Sequence, residues 1–168
     1  MENIKKISVE RREQKKFKTD TRNLIDVTLL GICITLFGLV ATIRPEMVSG
    51  NPFFTLQLVL AVPFFMCGLL ARIKEASYTD SHRWVKLSSI SFTLAYGFFI
   101  NAIALLLSFI AAVYVSMIFL AVNTLLTLVR ASIAISYAPE NMRARILREG
   151  VHIALIVFLG ILPILGVY

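Results

Sequence analysis

The feature that most constrains this chain is an uncharged stretch of 43 residues from Leu87 to Val129. As one straight helix it would be about 64 Å long, roughly twice the ~30 Å hydrocarbon core of a bilayer. The stretch must therefore fold back on itself. Its polar residues indicate where, because several of them form pairs equidistant from Ala112. The sequence predicts a tight helical hairpin with its turn near Ala112.

The paired polar residues form a stripe along both helices of this hairpin. An asparagine that faces lipid leaves amide groups without partners, at a cost of several kcal/mol, and a contact between Asn101 and Asn123 removes most of that cost. We expect the stripe to hold the two helices together by close backbone contact and side-chain hydrogen bonds. The alternative is that the asparagines line a water-filled or ion path. The stripe consists of Gly97, Asn101, Ser108, Ser116, Asn123 and Thr127.

The composition extends this interpretation to the whole chain. Hydrophobic residues make up 58% of the sequence, against ~45–50% in soluble domains, and the excess lies in long runs. We predict an all-α, multi-pass protein of the lipid bilayer, with a basic arm over 1–22 and one transmembrane domain over 23–168. A short interfacial helix is expected over 139–149. The predicted spans are 23–43, 53–71, 87–110, 113–136 and 151–168.

The basic residues predict the orientation. Sixteen of the 17 Lys and Arg residues fall on one side of the predicted topology, and only Arg44 falls on the other. The positive-inside rule then places the N-terminus in the cytoplasm, and the C-terminus and Ala112 outside, in a plasma or inner membrane. Nucleic acid is not an expected partner, because the basic residues flank apolar runs and no base-reading module accompanies them.

The first span carries its small residues on one face, at Thr28, Gly31, Thr35, Gly38 and Thr42. Such faces allow the backbones of two helices to approach closely. We expect this face to contact further copies of the chain or other membrane subunits.

Two charged residues lie inside predicted spans. Asp26 is about one turn into the first span, and Arg130 lies close to the cytoplasmic end of the fourth. Because both are predicted near the same edge of the membrane, they are candidates for an ion pair; each could instead extend to water.

The sequence offers little catalytic or metal-binding chemistry. It contains no HExxH, GxSxG or Walker A motif, and Cys33 and Cys67 lie in apolar runs without a CxxC. No cofactor or metal is therefore expected. A basic face at the predicted cytoplasmic side would, with His152, suit a phosphate headgroup. It comprises His82, Arg83, Arg143, Arg145 and Arg148.

Two functions follow from these observations. The first is a non-enzymatic membrane protein that acts through helix packing, as an oligomeric pore for small solutes or as a subunit of a membrane complex. The alternative is a membrane-embedded enzyme that acts on a phosphate-bearing lipid at the cytoplasmic face. The absence of intramembrane carboxylates at mid-depth disfavours a proton relay or cation pump.

Overall fold

A computed structural model describes the chain over residues 2–77, 82–137 and 142–166. Within this part, the side chains of residues 2–18, 76, 77, 134, 137, 144 and 145 are left undescribed. The described segments contain helices and no strand, which confirms the all-α class. The helices are α1 (Glu2–Ile43), α2 (Pro45–Gly50), α3 (Pro52–Ser77), α4 (His82–Ile110), α5 (Val113–Tyr137), α6 (Met142–Ile156) and α7 (Leu162–Ile164), with a π-helical segment, Val157–Ile161, between the last two.

Five helical segments are long and apolar enough to cross a membrane, as expected of a multi-pass membrane protein. Many large apolar side chains on α1 and α5 are exposed, as suits helices that face lipid. The five segments are Thr19–Ile43, Pro52–Glu75, His82–Ile110, Val113–Ile133 and Ile146–Ile164.

Two predicted chain reversals lie where the sequence placed them. α4 ends at Ile110 and α5 begins at Val113, so that the turn includes Ala112. At the other reversal, Asn51 caps α3, because its side-chain oxygen accepts a hydrogen bond of 2.9 Å from the backbone N–H of Phe54. Pro52 follows as the first helical residue, where its missing N–H costs nothing.

The helices are longer than the predicted spans. α1 includes most of the basic arm, and α3 and α4 extend into the predicted loop between them. α6 runs through Gly150, so the interfacial helix expected over 139–149 is not a separate element in its described part. A lone glycine costs a helix only about 1 kcal/mol, which the apolar run after it offsets. Residues 139–141 of that prediction lie outside the described residues.

The most extensive packing joins α3 to α4. Phe54, Leu58, Ala61 and Phe65 recur every three or four residues on one face of α3 and are almost completely buried. They pack with α4 residues such as Ala95 in one apolar cluster. α4 is thus the centre of the bundle, but its main partner is α3 rather than α5, its partner in the predicted hairpin.

The last span contains a local irregularity with a clear cause. Pro163 has no N–H to donate to the carbonyl of Leu159 four residues earlier, and the π-helical segment lies over the same stretch. The side-chain amide of Gln57 on α3 compensates, since its Nε2 donates to the Leu159 carbonyl at 2.7 Å. A buried glutamine in α3 therefore closes the hydrogen-bond deficit of a distant helix.

Candidate functional site

The two asparagines that the sequence predicts at mid-membrane do not bond to each other, in contrast to the prediction. Asn101 is fully buried, and its Nδ2 donates to the carbonyl of Leu155 in α6 at 2.9 Å. Asn123 instead accepts a long hydrogen bond of 3.4 Å from the hydroxyl of Tyr96. Asn101 therefore joins α4 to the last span.

The remaining stripe residues have separate local roles. Ser116 donates to the Ala104 carbonyl at 2.6 Å and so does hold α5 to α4. Ser108 bonds to a carbonyl of its own helix. Thr127 is 5% exposed, and Gly97 lies against Leu155.

Packing around Asn101 is close. A Cβ placed on Gly160 would lie 2.6 Å from Asn101 Oδ1 and 3.3 Å from a Leu120 methyl group. A Cβ on Gly97 would lie 2.9 Å from a methyl group of Leu155. We call this tightly packed level, where small residues let the helices approach, the closed layer.

A polar cavity of about 520 Å³ lies on the other side of Gly97, toward the end of the bundle where α3 ends and α4 begins. All five spanning segments contribute to its lining. Neither mid-membrane asparagine is part of that lining. Charged, hydroxyl and aromatic side chains surround this space, and we take it as the candidate functional site.

An ion pair between α1 and α3 forms one wall of the cavity. Asp26 and Arg72 lie 2.8 Å apart, with side chains 1% and 11% exposed. Arg72 also donates to the Ser88 hydroxyl at 2.9 Å and lies 5.5 Å from the ring centre of Phe92. The predicted pair of Asp26 with Arg130 is therefore wrong. α1 packs against α3, which follows it in the chain after the short helix α2. Arg72 of α3 therefore lies beside Asp26 of α1.

The opposite wall holds two arginines on one carboxylate. Arg130 Nη2 donates to Glu149 Oε2 at 2.8 Å, and Arg148 donates to Oε1 through Nε and Nη2 at 3.1 and 2.8 Å. Arg148 Nη1 also reaches the Ser89 hydroxyl at 3.3 Å. The Glu149 side chain is only 7% exposed, whereas that of Arg130 is 59% exposed. Arg130 therefore keeps N–H donors available to a ligand.

The excess positive charge of the cavity lies on this second wall. On the α1 and α3 wall two arginines accompany two carboxylates, so that the charges balance. On the α5 and α6 wall Arg130 and Arg148 have only Glu149, which leaves a formal charge of +1. The groups of the balanced wall are Arg22, Asp26, Arg72 and Glu75.

His152 closes the inner end of the cavity. The residue is 2% exposed, its ring stacks on Tyr96 at a centroid distance of 5.5 Å, and Tyr96 stacks in turn on Phe92. Its Nε2 is buried without a hydrogen-bond partner. Buried polar atoms are normally paired, so an unpaired nitrogen beside a cavity is a candidate contact for a ligand.

Only part of the predicted basic face belongs to this site. Arg148 lines the cavity, whereas His82, Arg83 and Arg143 are exposed residues outside its lining. The side chain of Arg145 lies outside the described residues. The sequence patterns did not predict Arg22, Arg72 and Glu75 as site residues, although they line the cavity. They lie at the ends of predicted spans, at the same predicted depth as Arg130, and this shared depth could have indicated them.

Among the described residues, no cluster of three or more His, Cys, Asp and Glu side chains is arranged to hold a metal ion. Cys33 and Cys67 are both free thiols, and Cys33 is buried in the apolar core. Comparison of the chain with protein families, with curated proteins and with solved structures gives no match. Function is therefore inferred from the site itself.

Proposed function

We propose that this chain is a non-enzymatic membrane protein that binds a small anionic group in the cavity at its charged end. The main support for this proposal is that Arg130 and Arg148 share the single carboxylate of Glu149 on the cavity wall. Two guanidinium groups with one counter-charge attract a second anion, and arginine binds phosphate and carboxylate groups through paired N–H donors. The positive-inside rule places this end of the bundle in the cytoplasm.

The proposal includes further subunits, either copies of this chain or another protein of the plasma membrane. The small-residue face of α1 supports it, because Thr28, Gly31 and Thr35 line an open groove and a Cβ on Gly31 or Gly38 would touch nothing within 4 Å. A pore through a single chain has less support, since the layer at Gly160 is closed. A solute path would have to run between subunits.

Anion binding is tested by thermal unfolding of the detergent-solubilised protein in inorganic phosphate or in chloride at equal ionic strength. A ligand that binds only the folded state raises the midpoint. We expect phosphate to stabilise the wild type but not the variant R130Q/R148Q. The matched control R83Q/R143Q removes the same charge at the same end of the bundle outside the cavity, and it should respond as the wild type does. Equal phosphate responses in all three chains would refute binding at this wall.

The subunit proposal is tested by the mass of the purified protein in detergent or native nanodiscs. A discrete homo-oligomer that passes small solutes in liposomes supports a pore, and a stable complex with a second protein supports a subunit role. We expect Gly31→Leu to dissociate either assembly while leaving the monomer folded, since the position is exposed. An inert monomer under all conditions would contradict the proposal.

The enzyme alternative is retained for one observation, the unpaired Nε2 of His152 beside the arginines. A buried imidazole near bound phosphate is suitable for general acid–base catalysis. Incubation with a phospholipid substrate and analysis for released headgroup tests this role directly. Turnover that is lost in His152→Ala but kept in His82→Ala would establish an enzyme, and no turnover in the wild type would remove the alternative.

A further inference from the structure

Two buried polar atoms of the residues that line the cavity lack a hydrogen-bond partner. His152 Nε2 and Asp26 Oδ1 are both without a hydrogen-bond partner, and the residues are 2% and 1% exposed. Both residues line the same cavity as the arginine pair. A ligand that fits this site must supply hydrogen-bond donors as well as an anionic group.

The free nitrogen of His152 is an acceptor in one of the two neutral forms of the ring. Its Nδ1 lies toward α4, 3.5 Å from the position of a Cβ on Gly97, whereas Nε2 is the buried nitrogen without a partner. A neutral imidazole has a hydrogen on one nitrogen and a lone pair on the other. With the hydrogen on Nδ1, Nε2 accepts a hydrogen bond from a ligand.

The cavity also lies between two helices that do not pack together to any extent. Among the described residues, α1 packs chiefly on α3 and α2, whereas α6 packs on α4 and α5. Ile25 of α1 and Glu149 of α6 nevertheless line the same space. The cavity is therefore shared by two spanning helices that pack mainly on other elements, and we take the space between them as the route of a lipid headgroup.

We infer that the ligand is a membrane phospholipid whose headgroup carries an N–H or O–H donor, as ethanolamine and glycerol headgroups do. The phosphate binds Arg130 and Arg148, and the donor satisfies His152 Nε2 and Asp26 Oδ1. A choline headgroup has no such donor and leaves both acceptors unpaired. This inference rests on the proposed anion site and adds the class of its ligand.

The test is a competition between phosphatidylethanolamine and phosphatidylcholine with identical acyl chains in mixed micelles. Both headgroups are zwitterionic, so that net charge cannot produce a preference. Lipid bound per wild-type protein is measured by native mass spectrometry. We expect phosphatidylethanolamine to bind roughly tenfold more tightly, because phosphatidylcholine leaves a buried acceptor unsatisfied. Equal binding of the two lipids would overturn the inference.

Variants separate the two parts of the site. His152→Phe keeps an aromatic ring against Tyr96 but removes the acceptor, so the preference should fall several-fold while phosphate still raises the unfolding midpoint. R130Q/R148Q should lose both lipids, and R83Q/R143Q should retain the wild-type preference. An unchanged preference in His152→Phe, at a wild-type elution volume on size exclusion, would contradict the assigned role of His152.

Soluble phosphoethanolamine distinguishes a lipid from a free solute. If soluble phosphoethanolamine binds as tightly as the lipid, the choice of a lipid ligand is wrong. Binding that is at least tenfold weaker than that of the lipid supports a lipid ligand. If the lipid preference is absent but inorganic phosphate still stabilises the wild type through the two arginines, this inference fails alone. If neither effect is seen, the proposed function fails with it.

Discussion

The closed layer and the cavity beside it both contain buried polar atoms without partners, but only one of them adjoins an open space. In the closed layer, Asn101 Oδ1 is unpaired and lies against Gly160, where even a methyl group would not fit. At the cavity, His152 Nε2 is also unpaired, and the residue lines a space of about 520 Å³. The comparison shows that polarity inside a membrane bundle indicates function only where the packing leaves room for a ligand.

The largest effect is expected at the ion pair of the cavity wall. Asp26→Ala leaves Arg72 buried without its counter-charge and should lower the free energy of unfolding by about 3–5 kcal/mol. The charge-swapped variant D26R/R72D should recover part of this loss, whereas D26R/R130D should not. Denaturant unfolding in mixed micelles measures all three, with Asp20→Ala as an exposed control on α1.

A glycine series sharpens the contrast between the closed layer and open positions. Gly160→Ala forces Asn101 away from its carbonyl partner and should cost about 2–4 kcal/mol. Gly97→Ala should cost less, because the methyl group of Leu155 that it meets lies at the end of a flexible side chain. Gly150→Ala, in the same spanning segment as Gly160 but with nothing within 4 Å, is the matched control. The unfolding midpoint should be lowest for Gly160→Ala, higher for Gly97→Ala and highest for Gly150→Ala. Equal midpoints for Gly160→Ala and Gly150→Ala would disprove close packing at Gly160.

The asparagines provide a smaller and more specific comparison. Asn101→Ala should cost about 1–2 kcal/mol and Asn123→Ala about 0.5 kcal/mol, because interhelical hydrogen bonds in membranes average about 0.6 and reach about 1.7 kcal/mol. Neither variant should change the phosphate response, which R130Q/R148Q abolishes. If Asn123→Ala removed phosphate binding, the separation between the layer and the cavity would be wrong.

The smallest effect is expected at Ser116. Its buried hydrogen bond to Ala104 joins α5 to α4, and Ser116→Ala should lower the free energy of unfolding by about 0.6 kcal/mol. Ser108→Ala is the matched control, since Ser108 bonds within its own helix and should have an effect near zero. Denaturant unfolding in micelles resolves the difference, and an equal effect of the two substitutions would remove Ser116 from the α4–α5 contact.

The sequence was sufficient to predict the elements but not their neighbours. Long apolar runs and the break at Ala112 follow from bilayer thickness, and Asn51 with Pro52 gave a local start signal for α3. The partner of Asn101 could not be found this way, since the equal spacing of Asn101 and Asn123 about the turn describes depth alone. Depth does not specify which helix lies beside which.

The residues that line the cavity were anticipated only in part, for the same reason. Arg148 and His152 were assigned to a possible phosphate site, and both line the cavity. Asp26 was paired with Arg130, although Arg72 lies at a similar depth and on the helix that α1 contacts. The exact set of cavity residues depends on which helices pack side by side, and no pattern along the chain specifies those neighbours.

The central claim is that the cavity is open to ligand at the charged end and closed at mid-depth. The most direct measurement is labelling of single cysteines, in a background without Cys33 and Cys67, by a membrane-impermeant thiol reagent. We predict that Ser89→Cys is labelled from the cytoplasmic side and protected by bound phospholipid, and that Leu120→Cys, beside Gly160, is not labelled from that side. Labelling of Leu120→Cys from the cytoplasmic side of the folded protein would contradict the account, because the reagent would have to pass through the closed layer.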